Sequence, residues 1–143
     1  MGLTPPGSIE SMFAALAIAL AARVSGAVRH LEVAEAAADV ILTAANSPTV
    51  VAWGARADLG LIAVHREEPA AAADHYASLE SSRGTTTAGI SLVSDRILGL
   101  LAHTMGSSDL TAEHFEDALA FCRKAGYRPE LAWTCCDYAD LLL

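Results

Sequence analysis

Apolar positions along this chain recur at helical spacing, and no stretch alternates apolar and polar residues with the two-residue period of a half-buried strand. Val28, Leu31, Ala34, Ala37, Ala38 and Ile41 form one stripe, and Val50, Trp53, Ala57, Leu61 and Val64 form another. Ala72, Tyr76 and Leu79 make a third. Between the stripes lie breaks: Gly26, Asn46-Ser47-Pro48, Glu67-Glu68-Pro69, Arg83-Gly84 with Thr85-Thr86-Thr87, Gly106, and Gly126-Tyr127-Arg128-Pro129. Pro is favoured at the first helical position, and acids suit the positive end of a helix dipole. The pattern predicts about seven helices. The first is 8–25 with Ser8 as its cap, the second ends near Ala45, and the third is 49–65. The fourth runs from Glu67-Glu68-Pro69 to about 83, and the last three cover 88–105, 109–125 and 129–143.

Self-similarity adds organisation. Leu59-Gly60 and Leu98-Gly99 are 39 residues apart, and the same offset relates Ala63 to Ala102 and Tyr76 to Phe115. Trp53 and Trp133 lie 80 apart, as do Gly26 and Gly106. A period of 39 or 40 exceeds the roughly 34 of an ordinary tetratricopeptide repeat, which longer helices would accommodate. The chain therefore divides into one domain, 1–143, with helical pairs at about 8–45, 49–83 and 88–125 and an unpaired helix at 129–143.

Leu98-Gly99, Gly106, Phe115 and Ala118 stand where a tetratricopeptide (TPR) motif has its Leu-Gly pair, turn Gly, aromatic and Ala. Asp95, Ala102 and Thr111 replace its large first residue, Tyr and small residue. The segments His114 to Leu119, Arg128 to Thr134 and Asp137 to Leu143 resemble the helical-repeat regions of large bacterial signalling regulators. These are the ATPase-coupled adenylate or guanylate cyclases and the LuxR-type regulators. The resemblance covers 49–143 and implies an all-α, TPR-like α-solenoid of antiparallel helix pairs. It further implies a fragment or derivative of such a regulator, acting as a non-enzymatic scaffold for a protein or peptide. The phosphate-binding G-x-x-x-x-G-K-[ST] loop of those regulators does not occur in this sequence.

Composition agrees. Hydrophobic residues make up 53% of the 143, dominated by the helix formers Ala and Leu. The net charge of −8, with nine Lys and Arg spread thinly, argues against direct nucleic-acid binding. The apolar run Met12 to Ala22 is shorter than the roughly 20 residues that span a bilayer. No positive charge precedes it, so a buried helix in a cytoplasmic protein is expected.

Candidate chemistry is sparse. Cys122, Cys135 and Cys136 lack zinc-type spacing and read as buried free thiols in a reducing compartment. Asp137 and Asp140 beside them would raise a thiol pKa, which disfavours nucleophilic catalysis. His103 and His114 straddle Gly106, but three or four converging ligands are needed for a metal. His114 reads as part of a solvated face with Glu113, Glu116 and Asp117. Asp95-Arg96 and Arg56 with Asp58 read as solvated charges, and Trp53 and Trp133 as core. No metal or cofactor is expected. A small hydrolase-type enzyme on a helical scaffold is the alternative reading.

The resemblance places a groove along the first helix of each pair. Its positions are Ala14, Ala17 and Ala21; then Ala57, Leu61 and His65; then Arg96, Leu100 and His103; then Trp133, Cys136 and Asp140. Such a groove would suit an amphipathic helix. Phe115 is expected in the core, and Gly99 at a close helix approach that tolerates Ala but not Leu. Gly106 is expected to be a left-handed helix stop. The wide apolar stripe of the last helix, ending in Leu141, Leu142 and Leu143, predicts self-association as a two-fold dimer.

Overall fold

The computed structural model describes residues 17, 18, 21, 22, 25, 30–44, 48–86 and 92–142. It is all-α. Among the described residues six α-helices follow one another: α1 (Leu31–Thr43), α2 (Thr49–His65), α3 (Pro69–Leu79), α4 (Ser94–Thr104), α5 (Ser108–Ala125) and α6 (Arg128–Leu142). Most of the predicted first helix, with Ala14, lies outside the described residues, as does Leu143. Ala17, Ile18, Ala21, Ala22 and Ser25 are helical. No described helix is long and apolar enough to cross a membrane.

Helices pack sequentially in antiparallel fashion, each on the next, and α2 also packs on α4, as α4 does on α6. In α1 the stripe Leu31, Ala34, Ala38 and Ile41 is buried, as its spacing demands. Ala38 and Ile41 meet Val51 and Ala55 of α2, while Leu31 and Ala34 meet Ile62 and Ala22. The main core joins α2, α3, α4 and α5 through Leu61, Tyr76, Leu79, Leu98, Leu101 and Phe115.

Two helix ends repeat one geometry. Gly106 has φ +81, and beyond it the Ser107 N–H donates to the Ala102 carbonyl. Thirty-nine residues earlier the Glu68 N–H donates to the Ala63 carbonyl, and Glu67 takes the left-handed position at φ 55 without being glycine. Gly126, φ +68, ends α5 similarly.

The helix predicted from 88 begins instead at Ser94. Val93 forms an isolated antiparallel bridge with Thr86, and the Ser94 N–H donates to the Thr85 carbonyl, so the backbone just before α4 is committed elsewhere.

Candidate functional site

The strongest polar features are two buried clusters that tie helices together. Arg96 on α4 is only 2% exposed. Its Nε donates to Glu130 Oε1 at 2.7 Å, its Nη1 to Asp137 Oδ2 at 2.7 Å, and its Nη2 to Glu130 Oε2 at 3.4 Å. The Val93 N–H adds a bond to Glu130 Oε1 at 3.1 Å. Glu130, Thr134 and Asp137 recur on one face of α6 and are its buried residues. Burial disfavours the guanidinium charge, but the two carboxylates outweigh it and hold the Arg96 pKa above its ordinary value.

The second cluster spans α3, α4 and α5. Tyr76 Oη lies 2.8 Å from His114 Nε2, and His114 Nδ1 lies 3.0 Å from Asp95 Oδ1. Asp95 Oδ2 accepts the Gly84 N–H at 2.7 Å. Burial pushes the Asp95 carboxyl up, but the bonds from His114 and Gly84, with the Arg83 charge, prevail and set it below its ordinary value. An ionised Asp95 only accepts, so His114 Nδ1 carries a proton. Arg83 stands outside, bonding Glu113 and Asp117. The His114 ring is 0% exposed with both nitrogens engaged, so no free ring nitrogen faces an external substrate.

These placements correct several expectations. Asp95, Arg96 and Asp58 are buried rather than solvated, because each lies on a helix face that meets a neighbouring helix. His114 points inward, away from Glu113, Glu116 and Asp117. Trp133 is 44% exposed rather than core, because Arg96 draws the polar stripe Glu130, Thr134 and Asp137 of α6 inward. Of the cysteines only Cys122 is buried, while Cys135 and Cys136 lie exposed on that outward face. Burial raises the Cys122 pKa, which works against thiolate chemistry there.

Among the other groove positions, Leu61 and Leu100 are buried, His65 is half-buried, and His103, Cys136 and Asp140 are exposed. His103 shares a cleft of about 180 Å³ with Ser108, Thr111, Ala112, Tyr138, Leu141 and Leu142. A second, wider cleft of about 460 Å³ is lined by Arg83, Gly84, Asp95, Asp117, Phe121 and Lys124. Among the described residues no group of three or more His, Cys, Asp or Glu is placed to hold a metal ion.

Asp58 stands apart. It is 0% exposed, and among the described residues neither carboxylate oxygen has a hydrogen-bond partner. It continues the stripe Val51, Ala55 and Ile62 of α2. Burial alone raises its pKa to about 8. No protein-family model, curated protein or solved structure matches this chain.

Proposed function

We propose that the chain is a non-enzymatic interaction module, a TPR-like α-solenoid that scaffolds a protein or peptide partner as part or derivative of a bacterial signalling regulator. The observation that carries this reading is the alternate-helix packing. Contact of α2 with α4 and of α4 with α6 puts the first helix of each successive pair side by side, which is how stacked repeats generate a continuous surface. Helix ends recurring at an offset of 39 residues, Ala63 to Glu68 and Ala102 to Ser107, support it. The buried clusters favour a scaffold over an enzyme, since Arg96 and His114 spend their polar atoms on joining helices. Exposed free thiols at Cys135 and Cys136 suit a reducing compartment such as the cytoplasm.

The cleft at His103, Tyr138 and Leu141 offers apolar walls with a polar point, which fits the apolar face of an amphipathic helix. The test is selection of helical peptides from a displayed library, followed by calorimetry on wild type and on His103→Glu. The expected result is a selected peptide whose affinity falls at least about tenfold in the variant, a difference of about 1.4 kcal/mol. Failure to select any peptide, together with turnover of an esterase, phosphatase or nuclease substrate, would favour the hydrolase reading.

A further inference from the structure

The two ends of the α5–α6 hairpin carry opposite charge, with Glu113, Glu116 and Asp117 exposed midway along α5. Arg123, Lys124 and Arg128, three of the nine basic residues in the chain, are exposed around the Gly126 turn, and none has an ion-pair partner among the described residues. Ser108 and Leu142 line the same cleft, so the start of α5 lies beside the end of α6. At that open end Asp109 and Asp140 are exposed. Between the charged ends, the outward face of α6 presents Ala132, Trp133, Cys136 and Ala139, all exposed.

A surface positive at one end, negative at the other and apolar between is complementary to itself when reversed. We propose that a second copy of this chain docks on the outward face of α6, antiparallel about a two-fold axis near the middle of that helix. Arg123 and Arg128 of each copy then lie at the same end of the interface as Asp109 and Asp140 of the other. A parallel arrangement would put like charges together. Antiparallel pairing also opposes the two helix dipoles. Small side chains at Ala132, Cys136 and Ala139 let the helices approach closely, with Trp133 supplying apolar area beside them. The chain's net charge of −8 opposes association, but salt screens it over about 8 Å at physiological ionic strength, leaving the contacts between the charged ends in control.

The proposal rests on reading the chain as an interaction module, and it commits the outward face of α6 to self-recognition. Sedimentation equilibrium in reducing buffer tests it, which removes adventitious disulfides at Cys135 and Cys136. Wild type should dimerise, and Arg128→Glu and Asp140→Arg should each weaken the dimer at least about tenfold. An equimolar mixture of the two variants should recover dimer, because each substituted charge then meets its opposite. Both side chains are exposed, and far-ultraviolet circular dichroism checks that the variants fold. A wild type monomeric at high micromolar concentration overturns the proposal. So do single variants that dimerise like wild type, or a mixture that recovers nothing. Peptide binding measured on Arg128→Glu separates the two readings: retained binding without any wild-type dimer sinks only the dimer, and a dimer without peptide binding sinks only the groove.

Discussion

The ring of Phe115 lies so close to the backbone of Gly99 that a β-carbon built there would stand 2.8 Å from Cδ2 and Cε2. Phe115 is itself wholly buried and stacks on Tyr138 with centroids 5.0 Å apart, so the ring is confined on both sides. The close approach expected at Gly99 is therefore present, but it is tighter than an Ala-tolerant site. Overpacking of this kind costs about 1–3 kcal/mol, against roughly 1 kcal/mol gained in helix propensity. Gly99→Ala should lose net stability in urea melts, and Phe115→Leu in that background should cost less than in wild type. A Gly99→Ala variant more stable than wild type would show that the ring moves freely. Phe115→Ala should cost about 3–5 kcal/mol.

Glu67 occupies the same left-handed position as Gly106, 39 residues further along the chain. A side chain is strained there and glycine is not. Glu67→Gly is expected to raise stability by about 1 kcal/mol, and Gly106→Ala to lower it by a similar amount. Thermal melts of both variants check this, and a destabilised Glu67→Gly would mean that the side chain has a compensating role.

Asp58 makes stability depend on pH in an unusual direction. Its folded pKa is raised to about 8 from an ordinary 3.8, so between these values the folded state holds a proton that the unfolded state has released. Stability is full below the unfolded pKa and falls as pH rises through the folded one, by up to about 1.4 kcal/mol per pH unit. Asp95, with its pKa lowered, acts oppositely, and its contribution disappears in acid. Urea melts from pH 5 to 9 should show wild type weakening and Asp58→Ala holding nearly level. Parallel profiles would remove Asp58 as the cause.

Arg96 is expected to be the most costly charge to delete. Arg96→Ala leaves the carboxylates of Glu130 and Asp137 buried without their cation, which typically costs about 3–5 kcal/mol. Arg96→Lys should recover only part, because an ammonium cannot reproduce the fork of contacts. Hydrogen exchange should show α6 losing protection first. A variant in which α6 stays as protected as in wild type would refute the clamp.

Helix existence was legible from the sequence alone, because a 3.6-residue apolar period such as Leu31, Ala34, Ala38 and Ile41 can be buried by one neighbour whatever its identity. Phe115 in the core and the left-handed turn at Gly106 were legible for the same local reason. The polar clusters were not. Arg96 meets Glu130 and Asp137 across 34 and 41 residues, and Tyr76 meets His114 across 38. A charged residue in sequence looks solvated, since most are, and only the packing of α4 on α6 decides that three of them share one dry site. That decision also turned Trp133 outward. A helix buries whichever face finds partners, and in α6 the carboxylates found Arg96 while the indole faced away from the core.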